Sequence, residues 1–297
     1  MCGIVGLFAK RPAFEAELGR HFATMLEEMT DRGPDSAGFA VYRDAVPFGQ
    51  IKLTLLAPAE FSWPDFAAAV ENGFDDIHGL HLHGNHAVLI ASVWAPELID
   101  WLRKSFPQLR ILSSGGSIEI YKEKGLPKCV IDHFDVAAMS ATHALGHTRM
   151  ATESAVTTEH SHPFSTGDDL CLVHNGSLSN HNRLRTDLRK RGVHFQTDND
   201  SEVAAGYLTW RLREGDTLEA ALSAAIDALD GFYTFAVGTR EGFAVLRDPI
   251  ACKPAVIAEH DDWVAMASEY RAIAHLPGAD QATAWEPEPG RIYTWSH

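Results

Sequence analysis

Hydrophobic positions along the chain switch between a strand-like and a helix-like period, and the switches mark the elements. Gly3–Ala9 is a short, nearly continuous apolar run, the pattern of a buried strand. Phe14, Leu18, Phe22, Met25 and Met29 then recur at three- and four-residue steps and predict a helix with one apolar stripe. Asp31-Arg32-Gly33-Pro34-Asp35-Ser36 has turn composition, and residues 37–42 predict a strand leaving it. From about Asp44 to Ala141 the texture changes. Pro47, Pro58, Pro64, Pro96, Pro107 and Pro127 punctuate strand-like pieces at 87–93, 110–112 and 118–121 and a short helix at 96–106. This span predicts a small inserted α/β subdomain.

Strand-like runs resume at 142–147, 170–174, 233–237, 243–246, 255–258 and 264–267, with three helices among them. Ser179 is placed to cap the first, which ends near Gly192. Asp200 is placed to cap the second, where Val203, Ala204, Tyr207, Leu208 and Leu212 share a face. Thr217 is placed to cap the third, with Leu218, Ala221, Leu222, Ala225 and Leu229 inward. Strands follow strands without crossover helices, which predicts an antiparallel α+β protein rather than a doubly wound one.

Composition narrows the function classes. The chain of 297 residues is 45% hydrophobic and 22% charged, ordinary for a globular protein. Lys+Arg number 25 against 40 Asp+Glu, and the resulting charge of −15 argues against nucleic acid or an anionic membrane as partner. The most apolar stretch, 87–95, is far short of the ~20 residues a spanning helix needs. The opening lacks the basic region of a secretory signal, so the expected location is cytoplasmic. Cys2, Cys129, Cys171 and Cys252 form no CxxC, and no glycine-rich phosphate loop is present. His78, His81, His83 and His86 are dense, with His81 and His83 on one strand face. No carboxylate or cysteine spacing joins them, and no metal site is assigned.

The chemistry begins at Cys2. Removal of Met1 would leave a cysteine with a free α-amine, placing thiol and base on one residue. An α-amino group of pKa ~8 is partly neutral near pH 7 and can take the thiol proton, directly or through a water. The simpler alternative is a small cysteine buried near the terminus.

Met-Cys-Gly-Ile-Val-Gly resembles the opening of the class II glutamine amidotransferases, which are N-terminal-nucleophile hydrolases, and further motifs follow in that family's order. Arg32-Gly33-Pro34-Asp35-Ser36-Ala37-Gly38 is similar to its RGPDSAG loop, and Gly146-His147-Thr148-Arg149-Met150-Ala151-Thr152 to GHTRWAT. His162-Pro163-Phe164 is similar to its His-Pro motif, His174-Asn175-Gly176-Ser177-Leu178-Ser179-Asn180 to HNGxIxN, and Asp200-Ser201-Glu202-Val203 to DTEV. Leu229-Asp230-Gly231, the run from Arg247 to Pro254, and Ala267-Ser268-Glu269 resemble LxG, RDPxGxKP and ASE. Met150, Glu153 and Ala251 depart from the pattern and leave the nucleophile, clamp and oxyanion positions intact.

The resemblance implies two stacked antiparallel sheets between helical layers, the four-layer αββα sandwich of N-terminal-nucleophile hydrolases. Residues 2–43 and 142–297 would form the glutaminase domain, and 44–141 an inserted subdomain, a candidate docking surface through Trp63, Trp94 and Trp101. It also implies hydrolysis of L-glutamine to L-glutamate through a thioester on Cys2. A selective site for free glutamine must pair a carboxylate, an ammonium and an amide. Arg149 would clamp the carboxylate with two parallel hydrogen bonds. Asp200, with Asp198 as the fallback, would take the ammonium. Asn175 and Gly176 would donate to the oxyanion. By resemblance, Thr152 adds a hydroxyl and Arg32 orients the nucleophile loop. His147, His162 and His174 are expected to pack and shape loops rather than act as bases.

The chain carries no recognisable phosphosugar, ATP or flavin site. It looks most like the stand-alone amidotransferase subunit of glutamate-synthase-like systems, including N-methylglutamate synthase. That implies ammonia transfer to separate synthase subunits in a hetero-oligomer, with flavin or iron–sulfur cofactors only in the partner. Two alternatives remain at this stage: a glutamine-sensing subunit without turnover, and an amide hydrolase of the same superfamily acting on another substrate.

Overall fold

Strand β1 (Gly3–Ala9) shows why the molecule is layered. Successive strand side chains point to opposite faces; here Ile4 and Phe8 enter one apolar core while Val5 and Leu7 enter another. Neither face is left for water, so the strand belongs to a sheet covered on both sides. The computed structural model describes residues 2–150 and 157–297.

The first sheet has seven strands in the spatial order β15 (Thr283–Trp285), β13 (Val256–Glu259), β14 (Trp263–Ala267), β1, β8 (His143–Arg149), β2 (Ser36–Tyr42), β7 (Ile118–Lys124). The second has five: β16 (Ile292–Ser296), β12 (Gly242–Arg247), β11 (Gly231–Gly238), β10 (Leu170–Leu178), β9 (Phe164–Gly167). The ladders are antiparallel, as in β1 with β8 and β10 with β11. Ile4, Phe8 and Leu145 meet Val173, Ala236 and Phe243 between the two sheets. The outer face of the first sheet packs on α1 (Pro12–Glu15), α2 (Leu18–Glu27), α5 (Pro127–His133) and α9 (Tyr270–Ile273). The outer face of the second packs on α6 (His181–Lys190), α7 (Asp200–Arg213) and α8 (Leu218–Ala228). The result is the four-layer α+β sandwich expected from the sequence.

A third sheet, β4 (Ile77–His83), β5 (His86–Ala91), β3 (Ile51–Leu56), β6 (Arg110–Gly115), joins α3 (Trp63–Gly73) and α4 (Ala95–Ser105) around Leu53, Phe66, Leu89 and Leu98. The inserted unit is narrower than residues 44–141. Strand β7 lies inside that span yet pairs with β2 from Ser36↔Lys124 to Tyr42↔Ile118, and α5 buries Val130 and Ile131 beside α2. Among the polar contacts that hold the third sheet to the sandwich, two are buried carboxylate anchors. Lys52 Nζ on β3 donates to Glu119 Oε1 on β7 at 2.8 Å, with both side chains buried. The Asp169 carboxylate, between β9 and β10, accepts the backbone N–H groups of Gly116, Ser117 and Ile118 at 2.7, 2.8 and 3.0 Å.

Two predicted caps shift by one residue. Asn180 occupies the N-cap of α6, while Ser179 Oγ donates to Asp230 Oδ2 at 2.6 Å. Asn199 caps α7 by accepting from Ser201 N at 2.8 Å, so Asp200 becomes the first helical residue. Thr217 caps α8 through Ala220 N at 3.2 Å. The predicted stripe from Phe14 to Met29 divides into α1 and α2. A Cβ at Gly19, near the start of α2, would collide with the Val136 and Met139 carbonyl oxygens, so glycine permits that approach. Among the described residues, no helix is long and apolar enough to cross a membrane.

Candidate active site

Cys2 stands immediately before β1, and its surroundings come from distant parts of the chain. Its carbonyl oxygen accepts Arg32 Nε at 2.9 Å and Asn175 Nδ2 at 3.0 Å. Arg32 is buried in the turn after α2, and its Nη1 pairs with Glu269 Oε1 at 2.7 Å. Next to Glu269, Ser268 grips β1 one turn of the ladder beyond Cys2: Ile4 N donates to Ser268 Oγ and Ser268 N to the Ile4 carbonyl, both at 2.9 Å. The residue carrying the thiol is therefore fixed from three directions.

Arg149 ends β8. Since Gly3 pairs with Thr148, Cys2 and Arg149 come to the same end of adjacent strands. The turn carrying Arg32 is pressed on this end, because a Cβ at Gly33 would collide with the Thr148–Arg149 peptide. Arg149 is largely buried. Thr152 lies outside the described residues.

Asn175 and Gly176 project from β10, which faces β1 across the sheet interface. One N–H of the Asn175 amide is taken by the Cys2 carbonyl, and the side chain carries a second. A Cβ at Gly176 would collide with the Phe232 carbonyl oxygen of β11's approach and lie 2.7 Å from His174 Nε2, so only glycine fits. Asp200 Oδ2 accepts Leu178 N at 2.9 Å, binding the start of α7 to β10 just past Gly176. Asp198 instead points outward, 87% exposed, with Oδ1 3.0 Å from His160 Nε2. Asp200, not the fallback Asp198, therefore shares the region of Asn175.

Behind the strand stand three buried imidazoles. His147 Nε2 reaches the His174 carbonyl at 3.1 Å, and His147 stacks on His162 at 4.0 Å between ring centres. His162 Nε2 and His174 Nδ1 each lie 2.8 Å from Ser201 Oγ. Burial pushes His147 down to about 3 and His162 well below its usual value; it also lowers His174, with Asp200 opposing. All three are neutral at pH 7 and serve as rigid packing with specific acceptors. Among the described residues, no group of three or more His, Cys, Asp or Glu could hold a metal ion. Of the dense histidines of the third sheet, His83 pairs with His86 across β4 and β5, His78 meets Ser92, and His86 Nδ1 meets Asn85 Oδ1 at 2.8 Å. Trp63 and Trp101 pack into the core of the third-sheet unit, whereas Trp94 is 73% exposed.

This arrangement brings together Cys2, Arg32, Arg149, Asn175, Gly176 and Asp200. Two participants were not assigned roles from the sequence. Glu269 sat in plain view in Ala267-Ser268-Glu269, but nothing local marks it as the partner of an arginine 237 residues away. Ser201 stood inside Asp200-Ser201-Glu202-Val203, but nothing there marks it as the partner of two imidazoles.

Over its whole length the chain is 52% identical to the glutamine amidotransferase-like protein GlxB of Rhizobium meliloti, covering 99% of that protein. The chain belongs to the glutamine amidotransferase-like family. The family model for a glutamine amidotransferase domain matches residues 147–275 of this amidotransferase, from His147 on β8 past Glu269. A putative glutamine amidotransferase of Methanothermobacter thermautotrophicus is 29% identical over 99% of both chains. Among solved structures, the amidotransferase matches the glutamine phosphoribosylpyrophosphate amidotransferase of B. subtilis with a TM-score of 0.62 at 21% identity, covering 99% of this chain and 47% of that one. That likeness establishes the N-terminal-nucleophile hydrolase fold.

Proposed function

We propose that this amidotransferase hydrolyses L-glutamine to L-glutamate at Cys2 and passes the ammonia to a separate synthase of the glutamate-synthase or N-methylglutamate-synthase type. The observation that carries the reading is the grip of Arg32 and Asn175 on the Cys2 carbonyl, which sets a nucleophile, an amide donor and the Arg149 strand end in one place.

Once Met1 is removed, the Cys2 α-amine accepts the thiol proton and the sulfur attacks the side-chain carbonyl carbon of glutamine. Charge develops on that carbonyl oxygen, where the second Asn175 N–H and the Gly176 backbone N–H donate. The protonated α-amine returns its proton to the leaving nitrogen, the C–N bond breaks, and ammonia departs from a γ-glutamyl thioester. Water, deprotonated by the same amine, attacks the thioester carbonyl and releases glutamate and the Cys2 thiol. Arg149 holds the α-carboxylate and Asp200 the α-ammonium, so with its α-carbon fixed by these two groups asparagine, one methylene shorter, cannot bring its amide to Cys2.

Purified protein is expected to release ammonia from glutamine and not from asparagine or glutamate, and Cys2→Ala to release none. Ammonia release by Cys2→Ala at the parent rate refutes the mechanism, and mass measurement of the mature chain tests for the free Cys2 amine. For partner docking we place the contact on the third-sheet unit around Trp94. Removing 44–141 would also remove β7 from the main sheet, so the test is Trp94→Ala: unchanged co-purification of the synthase refutes this placement.

A further inference from the structure

The start of α7 meets β10 at two points. Asp200 holds Leu178 by its N–H at 2.9 Å, and Ser201 Oγ lies 2.8 Å from His174 Nδ1. His174 and Leu178 bracket Asn175-Gly176, so two successive helix residues fix both ends of the segment that faces Cys2. We propose that Ser201 is a positioning residue for the oxyanion donors, tying the site that receives the substrate ammonium to the donors that receive the developing charge. This rests on the glutaminase reading above.

The hydrogen-bond inventory explains why a hydroxyl is needed there. Ser201 is 1% exposed, and its oxygen is shared by His174 Nδ1 and His162 Nε2 at 2.8 Å each, with Asp200 Oδ1 at 3.3 Å. A hydroxyl gives one proton and accepts through two lone pairs, so it can donate to Asp200 Oδ1 while accepting from both neutral imidazoles at once. The opposite nitrogens, His162 Nδ1 and His174 Nε2, are buried without a hydrogen-bond partner among the described residues. Ser201 thus makes the side-chain hydrogen bond that fixes the His174 ring angle among the described residues, with Asp200 Oδ1 3.9 Å from the same nitrogen. That angle matters because His174 Nε2 lies 2.7 Å from where a Gly176 Cβ would stand, and the His174 carbonyl is itself held by His147 at 3.1 Å. A rotated ring pushes on Gly176 and swings the Asn175 amide away from its aim at Cys2. Asp200 shares the same hydroxyl, so an arriving ammonium acts on the same network.

The test compares the full chain with Ser201→Ala and Ser201→Thr. Ser201→Ala is expected to lower kcat for glutamine roughly tenfold or more while KM stays within about threefold, the pattern of a contact used in the transition state. Alkylation of Cys2 by iodoacetamide is expected at the parent rate, and the Asn175 side-chain amide resonances are expected to shift. Ser201→Thr, which keeps the hydroxyl, is expected to restore kcat and the resonances. A Ser201→Ala protein with parent kcat and unmoved Asn175 resonances overturns the proposal, as does an alkylation rate that falls in step with kcat. If Ser201→Ala does not fold, Ser201→Cys, similar in volume and a weaker donor, takes its place under the same criteria. A parent protein that releases no ammonia refutes the glutaminase reading, and the Asn175 resonances then decide the positioning role alone.

Discussion

Acid should unfold this protein well before its carboxylates protonate, because several imidazoles are buried without a negative partner to favour their charged form. Burial pushes His86, His143 and His147 each down to about 3 from the ordinary 6.5. His143 is stacked on Tyr42 at 4.0 Å with Nε2 2.9 Å from the Thr239 carbonyl, and His147 is enclosed by His162 and His174. Folded pKa values below the unfolded ones mean the unfolded chain binds more protons, so stability is fully present above pH 6.5 and is lost as pH falls toward 3. At pH 5 each group sits about 1.5 units below the unfolded value, which costs ~2 kcal/mol at 1.36 kcal/mol per unit. Three such groups remove about 6 kcal/mol, comparable with the whole stability of a domain at 5–15 kcal/mol. His162 adds to the effect in the same direction. Urea unfolding at fixed ionic strength, followed by circular dichroism from pH 7.5 to 5, is expected to show a falling midpoint with an unchanged slope in urea. His143→Gln is expected to start lower at pH 7.5 and to fall less steeply. A midpoint that does not move between pH 7.5 and 5, or signals of His86, His143 or His147 in the folded protein titrating near 6.5, would refute the reasoning.

Other expectations concern single contacts. Asp169→Asn places an NH₂ against backbone N–H groups that its carboxylate now accepts, and should cost about 3 kcal/mol in urea unfolding; a loss under about 1 kcal/mol would show that these bonds do not hold the third sheet in place. Arg149→Lys keeps the charge but not the parallel pair of donors, and should raise KM for glutamine by roughly tenfold or more; an unchanged KM argues against the carboxylate clamp. Asn175→Ala removes an oxyanion donor and a grip on Cys2 together, and should lower kcat by more than the ~3 kcal/mol, about 10²-fold, of one donor; single-turnover measurement of ammonia release checks it.

Much of the layered fold was legible because its signals are local. Strands β1, β2, β10 and β12 announce themselves as apolar runs, and α7 and α8 as apolar stripes of helical period. The third-sheet unit was harder. In β4 the apolar Ile77, Leu80 and Leu82 are interleaved with three histidines, and the segment reads as a histidine cluster until pairing with β5 places it in the sheet. The outer boundary of the insertion failed for a related reason. Strand β7 follows the subdomain in sequence, but its register partner is β2, and register is a property of two segments rather than one.

The site divides along the same line. The amino-acid order alone supplied the residue types: a thiol at position 2, an arginine before Gly-Pro, an Asn-Gly pair after a buried strand, an aspartate opening a helix. Those positions were singled out by the order of motifs, which resembles that of the glutamine amidotransferases, rather than by any one residue's local chemistry. What the order could not supply is which groups meet. Arg32 and Asn175 stand 30 and 173 residues from the carbonyl they share, and Glu269 stands 237 residues from Arg32. The order favoured Asp200 over Asp198, two residues apart with the same side chain, only through its motif; the fold supplies the physical difference, one carboxylate bonded to β10 and the other exposed to water. Periodicity and composition are written residue by residue, whereas proximity is set by the packing of whole layers, and only the folded chain contains it.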